Sequence, residues 1–372
     1  MLVHWHREQA TCTSRLLAGS PVDERADFDM TAGGRSVAST SLATLWWLVL
    51  FGVPLSWRKS RGGLRYTWIG LEKGLIYWPL GVSEARAAWM EVRFQRTLAA
   101  RTMDAAELWE ALGRLVFVYG ALQYDGLFQA PLFSFLALHK PGREQRLPVY
   151  VLIVLRWLRD RIRARRARPV HRRATVKNAV LRADAKAGGL AVAVGGWLPF
   201  YGDKGCIVVG KSRWFSVRLT TTSAPWAFVR GSPARAISTL ELLATTLGLV
   251  LLSPPELHAR GAAGAVAVTG LADSQVSSAV VLRGLTTAFP FCALAMKLSA
   301  QLEARGADTF LDWIPRGANR EVDALADGLG DRLGPALRVC TDLRDVRWLA
   351  LGDLLDAGSR FFRDAASSSG ST

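Results

Sequence analysis

Cysteine is scarce: the four in 372 residues, at positions 12, 206, 292 and 340, lie far apart and make no Cys-x-x-Cys pair. That excludes a thiolate zinc site and a secreted disulfide framework. Histidine is nearly as rare, with five in the chain. His4 and His6 are neighbours but have no third ligand candidate close by, so surface residues are the plainer reading. Long hydrophobic runs are also missing. The longest mostly apolar stretches, Leu42–Trp57 and Val149–Leu158, fall short of the roughly 20 residues that span a bilayer. The opening Met1-Leu-Val-His-Trp-His lacks the apolar core of a secretory signal. These absences predict an intracellular chain, nuclear or cytoplasmic, neither secreted nor membrane-bound. Acidic residues are outnumbered too, with 31 Asp and Glu against 47 Lys and Arg, a net charge of +16 and a sequence pI near 10.4. Such an excess of base points to a polyanionic partner, with an arginine-rich solvated surface as the bland alternative.

What is present is ample apolar material. Half of the residues are hydrophobic, and the length suits two domains. Residues 1–40 are polar and irregular. Ser39–Leu50 predicts a helix, which Gly52-Val-Pro stops, and the basic turn Trp57-Arg-Lys-Ser-Arg-Gly-Gly follows. Leu64–Gly70 and Glu72–Trp78 predict a pair of aromatic-rich strands. Two helices are expected next, capped by Ser83 and Asp104, then a short apolar connection at Phe128–Phe133. Pro148 suits the first position of another helix, running to about Ala167. Its second half is arginine-rich: nine Arg stand against one Asp between Arg156 and Arg173. Such an end can lie along phosphates or serve as a solvated linker.

From about residue 174 the composition changes. Ala179–Ala185, Leu190–Leu198 and Trp214–Thr220 predict three short strands in a meander. A helix capped by Ser232 and running through Leu252 follows. Val266–Thr269 and Thr309–Pro315 predict two further strands, Gln275–Leu285 and Phe289–Arg305 two helices, and Asn319 the cap of another. Leu333–Phe362 reads as helical, and Ser367–Thr372 as disordered.

Four acids in this half occupy awkward positions. Asp184 interrupts a strand just before Gly188 and Gly189. Glu241 lies too deep in its helix for the helix dipole to explain. Asp273 follows a strand at its carboxyl end, and Asp323 sits near a helix start. Each has a bland reading by itself: an exposed helix face, a turn residue, dipole compensation.

Taken together, the order strand Asp, helix Glu, strand-end Asp, helix Asp resembles ribonuclease H. The resemblance extends to Trp214 and Trp226, to Ile237-Ser-Thr-Leu-Glu-Leu-Leu-Ala, to Asp273-Ser-Gln-Val-Ser-Ser-Ala, and to Trp313-Ile-Pro-Arg-Gly-Ala-Asn-Arg-Glu-Val-Asp-Ala-Leu-Ala. These segments look like the ribonuclease H part of retroelement reverse-transcriptase polyproteins, the DIRS-like type in particular. The resemblance implies an α/β fold with a mixed five-stranded sheet. It also implies two divalent ions, Mg²⁺ or Mn²⁺, held by Asp184, Glu241, Asp273 and Asp323. The implied activity is cleavage of the RNA strand of an RNA–DNA hybrid. Many family members carry a His before the last helix; Pro315-Arg-Gly-Ala-Asn has none.

The first half also resembles that family. Phe51-Gly-Val-Pro-Leu-Ser-Trp-Arg-Lys-Ser and Tyr66-Thr-Trp-Ile-Gly look like the end of a reverse-transcriptase palm, and the helices after Ser83 like its thumb. At the place of the catalytic Tyr-x-Asp-Asp turn stands only Pro21-Val-Asp-Glu, so polymerase activity is not expected and the chain reads as a truncated polyprotein. The resulting organisation is 1–40, a palm remnant or poorly ordered; 41–155, palm end and thumb; 156–175, basic helix or linker; 176–332, ribonuclease H-like domain; and 333–372, a helical tail. Nucleic acid would be held by Arg58, Lys59, Arg61, Arg163, Arg165, Arg166, Arg172 and Arg173. Two alternatives stay open. One is a catalytically decayed remnant that only binds nucleic acid. The other is an integrase-type enzyme, whose last ligand would be a helix Glu such as Glu321.

Overall fold

The structure, a computed structural model, describes residues 43, 46–52, 65–68, 71–74, 79–118, 123–164, 168–169, 174–188, 191–203, 205–228, 232–252, 266–272, 277, 286–305, 307–315, 317, 319–327, 330, 333–346, 348 and 352–369. Residues 1–60 and 61–372 form two compact units. In the first, residues 46–50 are helical, and Trp47 stacks on Phe51 with ring centroids 5.7 Å apart.

The second unit begins with a small sheet. Strands β1 (Arg65–Trp68), β2 (Leu71–Gly74) and β3 (Pro79–Val82) pair antiparallel in sequence order. The expected pair of strands is thus a three-stranded meander. Helix α1 (Glu84–Ala100) ends at Arg101, whose φ of 58° places it in the left-handed region. Strand β4 (Thr102–Asp104) leads into α2 (Ala105–Val118), where the Ala106 N–H donates to Asp104 Oδ1 at 2.6 Å, the cap predicted there. Ser83 makes no such bond. Phe128–Phe133, expected as a connection, spans the end of a 3-10 turn and the start of α3 (Ala130–Ala137). Strand β5 (Glu144–Arg146) pairs with β4. Helix α4 (Val149–Ala164) stops short of Ala167, because Arg168 and Pro169 form β6 and pair with Leu80 and Pro79.

The large sheet follows: β7 (Ala174–Gly188), β8 (Ala191–Leu198), β9 (Arg213–Leu219), β10 (Val266–Ala272) and β11 (Ala307–Trp313). Their order across the sheet is β11-β10-β7-β8-β9. The first three strands in sequence pair antiparallel with one another, whereas β10 is parallel to both β7 and β11. This is the mixed five-stranded, ribonuclease H-like sheet that the resemblance implied. Parallel pairing requires long crossovers, and helices supply them. Helix α5 (Ile237–Leu252), entered through a 3-10 turn at Pro233–Ala236, lies between β9 and β10; α6 (Phe291–Ala304) lies between β10 and β11. Helix α7 (Arg320–Ala326) follows β11, and α8 (Leu354–Ser369) ends the described chain. Among the described residues, the region expected to be helical from Leu333 holds only a 3-10 turn at Pro335–Leu337 before α8, which continues to Ser369.

Pro233–Leu252 has the length and apolarity to cross a membrane, with a mean hydropathy of 1.5, yet 67% of it is buried inside the protein. It is a core helix: Leu240, Leu243, Leu247 and Leu252 share a cluster with Leu181, Ala183 and Ala185 of β7. Gly248 lets it approach closely, since a Cβ there would sit 2.6 Å from the Leu181 Cδ1. The buried hydroxyls of Thr245 and Thr246 donate to the carbonyls of Glu241 and Leu242 at 3.0 and 2.8 Å, so burying them leaves no donor unmet.

Helix α6 is buried on nearly every side because it serves two cores. Cys292, Ala293, Met296 and Ala300 pack with α1, α2 and α4. Phe291, Leu294, Ala295, Leu298 and Leu302 pack with the sheet.

Candidate active site

The alternation of β7 decides the site. Leu181, Ala183 and Ala185 point toward α5, so Arg182, Asp184 and Lys186 point to the opposite face. Helix α7 covers that face. Arg182 lies 3.8 Å from Glu321 at its start, and Lys186 pairs with Asp327 just past its end. Asp184 stands between these two anchors, only 3% exposed.

Register extends this point into a row across three strands. Asp184 is directly opposite Gly195 of β8, which is opposite Ser216 of β9; residues directly opposite share a face. Ser216 Oγ donates to the Leu325 carbonyl at 2.8 Å, which ties α7 to the sheet. A Cβ on Gly195 would fall 2.8 Å from Leu325 Cβ and 3.1 Å from Ala326 N, so glycine is what admits the helix. Beneath α7, Trp197, Trp214, Val322, Leu325 and Leu333 form a small separate core. The Arg182 guanidinium lies 5.7 Å from the Trp197 ring centroid. The Asp184 carboxylate itself accepts the Ala185 N–H at 2.8 Å.

Asp323 belongs to α7 and is half-buried, so its helix and Asp184 share one face of the sheet. Asn319, expected as the cap, is wholly buried and makes no side-chain cap bond. Glu241 is half-buried in the second turn of α5, the helix that packs on the other face of the sheet. Asp273 lies outside the described residues. Nearby, Leu271 of β10 pairs with Arg182, and Ser277 Oγ donates to the Ser238 carbonyl at 3.3 Å, one helical turn before Glu241. Among the described residues no three His, Cys, Asp or Glu side chains converge as a metal cluster. Glu321 is exposed at the edge of α7 beside Arg182.

Of the basic residues singled out, Arg163 is exposed near the end of α4, with Nε 3.5 Å from Glu91. Arg58, Lys59, Arg61, Arg165, Arg166, Arg172 and Arg173 lie outside the described residues.

Two charged groups away from this site were not foreseen. Asp125, 2% exposed, accepts from Trp157 Nε1 at 3.0 Å and from Arg161 Nε at 3.1 Å; Arg161 also pairs with Glu303 of α6. Burial pushes the Asp125 carboxyl up, against the opposing pull of Arg161 and Trp157. Lys297 is buried in α6 over the Trp348 ring. Desolvation lowers its ammonium to about 8, with Asp356 and Asp353 opposing the shift. A lysine inside an otherwise apolar helix was the available signal.

No family model matches the sequence, and no curated protein matches it. Among solved structures the chain is similar to a ribonuclease H of the halophilic archaeon Halobacterium salinarum NRC-1, at 21% identity over 41% of this chain and 97% of that one, with a TM-score of 0.27. It is similar to the N-terminal ribonuclease H domain of a Mycobacterium tuberculosis protein, at 17% identity over 42% and 94%, with a TM-score of 0.28. A foamy viral protease-reverse transcriptase in complex with an RNA/DNA hybrid is similar at 13% identity over 67% of this chain and 29% of that one, with a TM-score of 0.23. The fold class is defined by this chain's own strand order.

Proposed function

We propose that this chain is a divalent-metal-dependent endonuclease that cuts the RNA strand of an RNA–DNA hybrid, within a retroelement polymerase of the DIRS-like type. The observation that supports it is the Asp184–Gly195–Ser216 row. A buried carboxylate lies in β7, the central strand of the β9-β8-β7-β10-β11 sheet, beneath the helix that carries Asp323. The donor set fits Mg²⁺ or Mn²⁺: hard carboxylate oxygens and no thiolate, with Asp184 only 3% exposed. Such ions, when bound, supply the positive charge that phosphodiester hydrolysis needs. Asp184 would hold them from the strand and Asp323 from α7. Glu241 would reach them from α5 and Asp273 from the end of β10. The basic residues, Arg163 and the arginines after it among them, would grip the duplex by its phosphates without reading sequence.

The test is incubation with Mg²⁺ and a labelled hybrid beside an Asp184→Asn control. Cleavage by the wild type alone supports the proposal, and equal cleavage by both sinks it. One observation favours a second reading, a decayed remnant that binds and does not cut: the segment before α7, Pro315-Arg-Gly-Ala-Asn, carries no His. That reading predicts salt-sensitive hybrid binding with no metal-dependent cleavage.

A further inference from the structure

Register places a second row beside the one that holds Asp184. Lys186 of β7 is directly opposite Ala193 of β8, which is opposite Arg218 of β9. Each stands two residues along its strand from Asp184, Gly195 or Ser216, so this row faces the same side of the sheet. The two rows differ in cover. Asp184 and Gly195 are buried, whereas Lys186 and Arg218 are exposed and Ala193 is half-buried. Helix α7 ends at Ala326, and Asp327 just past it pairs with Lys186, so the covering helix stops where this row begins. What remains is an open shelf beside the buried carboxylate, with a long cation at each side and a single methyl between them.

The two cations are not equivalent. Lys186 is compensated by Asp327. Among the described residues the Arg218 side chain makes no ion pair and no hydrogen bond. The other arginine of β9, Arg213, turns to the opposite face, where Nη2 donates to the Leu251 carbonyl of α5 at 3.1 Å. A guanidinium set on a strand with no carboxylate beside it has its donor fork open to a phosphate. Spacing decides which phosphate. With strands about 4.8 Å apart and residues about 3.3 Å apart, the Cα atoms of Arg218 and Asp184 are separated by about 12 Å. The Arg218 side chain therefore reaches a duplex a few nucleotides from a bond cut beside Asp184.

We infer that Arg218 is a substrate-positioning residue, gripping one backbone phosphate of an RNA–DNA hybrid that lies across the Lys186–Ala193–Arg218 shelf. This rests on the proposed reading of the Asp184 face as the substrate side. Lys186 stays with Asp327 and lines the path, and Ala193 keeps the floor between the two cations low.

The test uses the full chain in EDTA, so that no metal-dependent step contributes. Binding of a labelled RNA–DNA hybrid is followed by fluorescence anisotropy across a salt titration, for the wild type, Arg218→Gln, Arg218→Lys and Arg213→Gln. Arg218→Gln is expected to weaken binding about fivefold and to flatten the log–log salt slope by about 0.9, the share of one phosphate. Arg218→Lys should keep the slope. Arg213→Gln removes the same charge from the other face and should bind like the wild type. Near-ultraviolet circular dichroism confirms that each variant is folded. Unchanged affinity and slope in Arg218→Gln would overturn the inference. So would an equal loss in Arg213→Gln, which would reduce Arg218 to its share of the net charge. With Mg²⁺, Arg218→Gln should raise KM for the hybrid and leave kcat within about twofold; a lower kcat at unchanged KM would overturn it too. Binding is read without metal, so absence of cleavage would sink the nuclease proposal and leave this measurement standing.

Discussion

At Gly195 a single missing methyl sets how closely α7 approaches Asp184. Alanine there would press on Leu325 Cβ and on the Ala326 backbone, and the backbone cannot yield. Gly195→Ala should cost about 1–3 kcal/mol in urea unfolding. Gly210→Ala, with nothing within 4 Å, should cost much less. The residue scale also holds a pH effect. Lys297 releases its proton more readily in the folded chain than in the unfolded one, at about 8 against 10.5. The unfolded chain therefore binds more protons between those values, and stability from this site rises with pH across that window. Lys297→Met should exceed the wild type most below pH 8, and the gap should shrink by roughly 3 kcal/mol toward pH 10.5. Urea midpoints at pH 7 and 10 measure it; an equal gap at both would contradict the assignment. Asp184 was legible because an acid inside a strand is conspicuous. Gly195 and Ser216 were not, because their importance comes from register, which no local pattern encodes.

Among the elements, α4 and α8 show most clearly what local sequence conveys. The apolar start of α4 was readable from Pro148 onward, and its arginine-rich end suggested only a phosphate contact or a linker. Arg161 instead turns inward to Asp125 and Glu303, joining α4 to the turn before α3 and to α6. Arg161→Met would leave two acids in a poorly solvated place. It should destabilise by about 3–5 kcal/mol, measured by guanidinium unfolding, and pairing it with Asp125→Asn should recover part of the loss. Helix α8 was expected as a tail. Its Phe361 instead stacks on Tyr150 of α4, with centroids 5.8 Å apart. Phe361→Ala should cost about 3 kcal/mol. An unchanged unfolding midpoint would mean that α8 contributes little to the fold. Boundaries failed where pairing intervened: α4 ends early because Arg168 and Pro169 are drawn into the small sheet beside β3.

Among the described residues of 61–372, α6 contributes buried side chains to both main cores, and it binds the helices before residue 165 to the sheet after residue 174. The order of strands and helices was readable from composition and period. The sharing was not, because a largely apolar helix announces burial without naming its neighbours. The four carboxylates were proposed on a family resemblance; what this molecule adds is one face of the sheet common to Asp184 and the helix of Asp323. The most direct measurement is the rate of RNA-strand cleavage in a labelled RNA–DNA hybrid with Mg²⁺, for the wild type and Asp184→Asn. A metal-dependent activity that Asp184→Asn lowers by at least about a hundredfold is the predicted result. Equal rates in the two proteins, or no cleavage by a wild type that still binds the hybrid, would contradict it.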